Sequence, residues 1–188
     1  MSIRCAAQSL ALVVSLCASF ALAAAGVEFR TVALTLSEDG RILLDADIGY
    51  DLNETVSEAL ENGVPLTFET HVQMRRSEAW IWEADVVEHR LRTVLRYRPL
   101  SGLYELRNLL GDEQLAFATR DAALRALGKI IAMPIVERRD LNLDEEYLVK
   151  IDVRLDVEAL PLPMRPMAYL KRDWSISSEE PWEWRLRP

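Results

Sequence analysis

The chain has 188 residues, 50% of them hydrophobic, with 22 Lys and Arg against 30 Asp and Glu and a formal net charge of −8. That apolar content excludes a disordered chain, and the acidic balance argues against nucleic acid as a partner. The length suits one domain with an ordinary hydrophobic core.

The first 25 residues have a character of their own. Arg4 precedes an apolar run from Leu10 to Leu22, which exits through Ala21-Leu22-Ala23-Ala24-Ala25-Gly26. A basic start, a short apolar stretch and an A-x-A exit describe a secretory signal peptide. The apolar run is shorter than the roughly 20 residues that cross a bilayer. The expectation is therefore a signal peptide over 1–25, cleaved after Ala23 or Ala25, and one domain over 26–188 in the periplasm. Cys5 and Cys17 both lie in the leader. The mature chain then has no disulfide, no thiol nucleophile and no cysteine metal site. Removing the leader takes away Arg4 and no acid, so the net charge becomes −9.

Period two dominates the mature chain. Val27 to Leu36 reads as a strand, with a slip of apolar phase near Thr31-Val32 that predicts a bulge. Ser37-Glu38-Asp39-Gly40 turns it into a second strand, in which Leu44, Ala46, Ile48, Tyr50 and Leu52 alternate with Asp45, Asp47, Gly49 and Asp51. Thr55 and Glu58 predict a capping box for a short helix that Asn62-Gly63 ends. Leu66 to Arg75 and Val86 to Arg98 read as long strands, followed by Leu103–Asn108 and Gln114–Ala118. Thr119 caps a second predicted helix, Arg120 to Ile131, with Leu124, Leu127 and Ile131 buried and Met133-Pro134 at its end. Tyr147 to Val157 is the clearest strand. Leu160-Pro161-Leu162-Pro163-Met164-Arg165-Pro166 reads as an extended connector to a Trp-rich tail. The expected fold is α+β: mainly antiparallel β-sheet of about seven strands with two short helices, a sandwich being one way for the sheet to close.

Catalytic signatures are sparse. His71 and His89 lie on different strands without ligand spacing and read as structural, so no metal is expected. Asp45, Asp47 and Asp51 alternate along a straight strand, unlike a calcium loop. No nucleophile elbow and no phosphate-cradling glycine loop occurs, so no cofactor is expected. Two groups remain as candidate interaction residues. Arg90, Arg92, Arg96 and Arg98 share a strand face, where they meet either an anionic ligand or acids on neighbouring strands. Trp80, Trp82, Trp174, Trp182 and Trp184 either line the core or form a binding surface.

Several stretches resemble the DUF4390 family of exported proteobacterial proteins: Glu58-Ala59-Leu60-Glu61-Asn62-Gly63-Val64-Pro65-Leu66, Leu95-Arg96-Tyr97, Leu160-Pro161-Leu162-Pro163-Met164-Arg165, and Trp174 to Trp184. The resemblance spans nearly the whole mature chain. It brings no catalytic residues. It implies a periplasmic accessory to signalling, because genes of the family lie beside those of a membrane sensor histidine kinase. The resulting expectation is a non-enzymatic binding protein whose partner is the outer region of such a kinase. The alternative is a binder of an envelope lipid or other amphiphile, with Arg96 or its neighbours at the head group.

Overall fold

The computed structural model describes residues 26–80, 83–111 and 114–187. The expected signal peptide and Trp82 lie outside the described residues. Among the described residues nine strands form two antiparallel sheets: β1 (Gly26–Leu36), β2 (Arg41–Asp51), β3 (Leu66–Arg76), β4 (Val87–Arg98), β5 (Leu103–Asn108), β6 (Gln114–Phe117), β7 (Lys129–Glu137), β8 (Tyr147–Leu155) and β9 (Trp182–Leu186). One sheet has the order β1-β2-β7, the other β6-β5-β4-β3-β8-β9. Helices α1 (Glu54–Glu61), α2 (Arg120–Leu127) and α3 (Arg165–Leu170) complete the fold.

The two sheets pack face to face, because the alternating strands each turn one apolar row inward. Ile42 and Leu44 of β2 share a buried cluster with Val72 and Met74 of β3 and Val149 and Ile151 of β8. A second cluster joins Ala46 and Ile48 to Phe68, Leu95, Leu106 and Val153. Phe68 meets the Tyr50 ring edge-on, with centroids 5.0 Å apart. β3 lies between β4 and β8, and Leu66 to Thr70 are buried on both faces.

The β1–β2 register shifts between Phe29 and Thr31, so Arg30 is the bulged residue and the apolar phase slips where the pattern required. The Ser37–Arg41 turn closes with Gly40 at φ 81°. Gly63, at φ 80°, follows the C-cap of α1.

Four expectations need correction. The N-cap of α1 is Asn53, not Thr55: the Asn53 side chain accepts the Val56 N–H at 2.9 Å. The second helix stops at Leu127 instead of Ile131. Gly128 lies so close to β2 that a Cβ there would sit 1.8 Å from the Ile48 carbonyl oxygen, and the Ile48 N–H donates to the Gly128 carbonyl. The chain therefore leaves the helix to pair with β2 as β7. Ile131 is 77% exposed there, and Pro134 sits within an edge strand, where a missing N–H costs no ladder bond. The proline-rich stretch is not extended throughout: Pro166 falls in the first turn of α3, which needs no N–H at that point. The strand count rises from about seven to nine, because the start of β7 continues a helical spacing and β9 lies in a tail too short to show a clear alternation.

Candidate functional site

The arginine face and the tryptophans occupy opposite sides of the six-stranded sheet. Outward residues of β3, β4 and β8 sit in register: Arg92, Glu69 and Arg154 form one row, and Arg90, His71 and Asp152 the next. Glu69 is buried at the centre. Arg154 Nη2 donates to it at 2.7 Å, and Arg92 Nε and Arg90 Nη1 approach to 3.5 and 3.7 Å. Arg92 also pairs with Asp156, which accepts the N–H groups of Glu158 and Ala159. Arg90 donates twice to Glu88, whose pKa is lowered by that bond and then by His71, 3.0 Å away. Arg98 donates to Glu105 at 2.8 Å. Arg90, Arg92 and Arg98 are thus paired with acids, Glu88 on the same strand, Glu69 and Glu105 on neighbouring strands and Asp156 just after β8, while Arg96 has no ion-pair partner among the described residues. His89 points the other way and donates to the Ile135 carbonyl at 3.0 Å.

The tryptophans divide three ways. Trp174 is 3% exposed in the first core cluster. It is removed from the candidate surface, because its ring fills the space beside α1 and its indole N–H meets no acceptor among the described residues. Trp80 is exposed and lines a crevice of about 660 Å³ with Arg76, Glu83 and Glu145, which pair among themselves. Trp182 and Trp184 stack on each other, with centroids 6.1 Å apart and planes 4° from parallel. They pair in register with Ile151 and Val149, so both rings lie on the inner side of their sheet. Trp182 packs on the core, whereas Trp184 is 55% exposed.

The exposure of Trp184 follows from unequal sheet widths. Three strands cannot cover six. At one side β7 lies by β4, and α2 covers β5 and β6. At the other, β1 comes over β8 and β9: Phe29, Val32 and Leu34 pack on the cluster that also seats Trp182 and Leu186, and Val27 bridges Ser178. β9 is the last strand of its sheet, so Trp184, one pleat beyond Trp182, stands exposed on the inner face at the side of the fold where β1 packs.

That edge was not among the sequence candidates. Beyond the Arg30 bulge, Thr31-Val32-Ala33-Leu34-Thr35-Leu36 carries no charge, proline or glycine. Its register with β2 runs unbroken from Thr31↔Asp47 to Leu36↔Ile42. The signal lay in the sequence as an uncharged alternating run after the phase slip, but only strand order reveals an edge. A crevice of about 550 Å³ opens at its N-terminal end, lined by Glu28, Asp51, Glu179, Glu180, Arg30 and Trp182. None of those four carboxylates has an ion-pair partner among the described residues.

A smaller crevice of about 190 Å³ lies between the sheets, with Phe68, Leu91, Ile130 and Met133 on its walls and Tyr50, Thr70 and Lys129 as polar groups. Burial pushes the Tyr50 hydroxyl pKa up. Arg96 lies on the far side of the sheet and does not reach this space; Lys129 is one of its wall residues, and its amine pairs with Asp47 at 2.9 Å. Among the described residues no three His, Cys, Asp or Glu side chains come together as metal ligands. No described helix is long and apolar enough to cross a membrane.

No curated protein and no solved structure matches the chain. The family model described as a domain of unknown function, DUF4390, matches residues 24–185, which takes in both sheets, the helices and most of the Trp-bearing tail. The chain therefore belongs to the DUF4390 family.

Proposed function

We propose that the protein is an exported, non-enzymatic binding protein of the periplasm, whose partner is the outer region of an inner-membrane sensor histidine kinase. The observation that carries the binding reading is the stacked Trp182–Trp184 pair. One ring is anchored in the core and holds the other, more than half exposed, on a ledge that no described residue covers. A rigid aromatic presented this way offers large contact area at low entropic cost, which is the character of a binding hot spot. The arginine face supports the reading less, because its charges other than Arg96 are already spent on Glu69, Glu88, Glu105 and Asp156.

The test is cross-linking of the tagged protein in intact envelopes, with identification of what is captured. Trp184→Ala should lose the kinase while keeping the wild-type unfolding transition, because its ring is mostly in solvent. Trp182→Ala should lose the kinase too, and also lower stability by about 2 kcal/mol through the emptied core contact. Capture at the wild-type level by Trp184→Ala would remove the proposed contact.

The crevice beside Tyr50 favours the amphiphile reading as the second choice, with Lys129 in place of Arg96 at the head group. Its size suits a short chain, not a whole lipid. Native mass spectrometry of protein taken from envelopes decides it: a bound amphiphile lost in Lys129→Ala supports it, and repeated clean apo protein removes it.

A further inference from the structure

We infer that the open edge of β1, from Thr31 to Leu36, takes an extended segment of the partner as an added strand, an assignment that rests on the partner-binding reading above. The segment is apolar toward Trp184 and basic at the end that reaches the crevice by Glu28.

Four strands end the two sheets, and proteins blunt such edges with short length, charge, proline or bulges. β6 has four residues. β9 has five, with Glu183 and Arg185 among them. β7 carries Pro134, a left-handed Ala132 at φ 47° and two register shifts. β1 is blunted only at its start, where Val27 bridges Ser178 and Arg30 bulges. From Thr31 on it has no such device.

The polar groups of that edge can be assigned. Hydrogen-bonded and open pairs alternate along an antiparallel ladder. The Ser37 N–H donates to the Arg41 carbonyl at 2.9 Å. Thr35 and Ala33 therefore bond to β2, while Leu36, Leu34 and Val32 turn their N–H and C=O groups to the open side. The side chains of these three residues face the core, where Leu36 is still 54% exposed. A strand added here would continue the three-stranded sheet over the ledge, close over Trp184 and bury Leu36. Its alternate residues toward that ring must be apolar. Where it passes the bulge it meets Glu28, Asp51, Glu179 and Glu180, which lack cationic partners, so a lysine or arginine belongs at that end.

The test uses the full chain and labelled synthetic peptides of alternating valine and threonine. One series ends in lysines, one in glutamates, and one carries a central proline. The lysine peptide should bind, the glutamate peptide should bind about tenfold or more weakly, and the proline peptide should not saturate. Leu36→Pro removes an outward N–H and no bond to β2, so it should weaken the lysine peptide about tenfold with the unfolding transition retained. Trp184→Ala should do the same. Equal binding of the lysine and glutamate peptides, or wild-type affinity in Leu36→Pro, would overturn the assignment. So would light scattering that shows a dimer dissolved by Leu36→Pro, because the edge would then belong to a second copy. If Leu36→Pro still captures the kinase from envelopes while Trp184→Ala does not, strand addition falls and partner binding stands. If both variants capture it, both fall.

Discussion

Glu69 shows at the scale of one side chain how an arginine-rich face is kept stable. Its side chain is 7% exposed, while the side chains of Arg90, Arg92 and Arg154 around it are 41–54% exposed. Glu69→Gln should cost about 2 kcal/mol, less than for a fully buried pair because the arginines remain in contact with water. Denaturant unfolding measures this, and a loss below a few tenths would mean the arginines are held by solvent alone. Asp39 behaves differently because it lies in an exposed turn. The Arg41 guanidinium, followed by the Ser37 hydroxyl, holds its pKa down to about 2 against 3.8. A carboxylate lowered in the folded state adds stability above its unfolded pKa, and that contribution is lost as pH falls through the folded value. Asp39→Asn should therefore flatten the fall in stability between pH 3.8 and about 2. Unfolding midpoints across that window check it, and an unchanged slope would show that the turn gains nothing from the charge.

Among the elements, period two was legible wherever one face is buried and the other wet. β8 alternates from Tyr147 to Leu155, and the structure finds the same alternation of buried and less buried positions. The hairpin through Gly40 and the bulge at Arg30 were also readable, since both leave marks in local sequence. β7 was not. Lys129 to Ile131 continues the apolar spacing of α2, and nothing local says that Gly128 must pass against Ile48 on a strand some eighty residues earlier. The helix ends for a tertiary reason, which a local pattern does not contain. Gly128→Ala tests this directly. Its φ of −81° suits alanine, so the cost comes from the Cβ meeting the Ile48 carbonyl backbone. The expected loss is about 3 kcal/mol with β7 displaced from β2, readable by calorimetry and by amide exchange of Ala46 and Ile48. A loss under about 1 kcal/mol would mean that β7 shifts freely and that its pairing with β2 is weak. The candidate site divides the same way. Trp182 and Trp184 were legible as aromatics that either line the core or form a surface, and the arginines around Glu69 as charges needing partners. The β1 edge was not, because being an edge is a property of strand order and no residue in Thr31–Leu36 announces it.

At the scale of the whole molecule, three strands facing six leave two overhangs, and the chain treats them differently. α2 fills the overhang above β5 and β6, which lets Leu106 and Ala123 bury in the common core. The overhang at β9 receives only that strand's own Trp182, Trp184 and Leu186 among the described residues, and β1 is the least protected edge of either sheet. Stability should therefore be graded across the fold. β3, paired on both sides and covered on both faces, should hold the slowest amides, at Val72 and Thr70. β1 should show an alternating pattern: Ala33 and Thr35 protected by β2, and Val32, Leu34 and Leu36 exchanging at the earliest times because their N–H groups face open solvent. Site-resolved hydrogen exchange tells these patterns apart. Uniform protection from Val32 to Leu36 in the free protein would mean that the edge is already covered, and the ledge would then be closed to a partner. Alternation in the free protein, with Val32, Leu34 and Leu36 slowed when the lysine-ended peptide is added, would locate the added strand on those three amides and tie the unequal sheets to the proposed binding role.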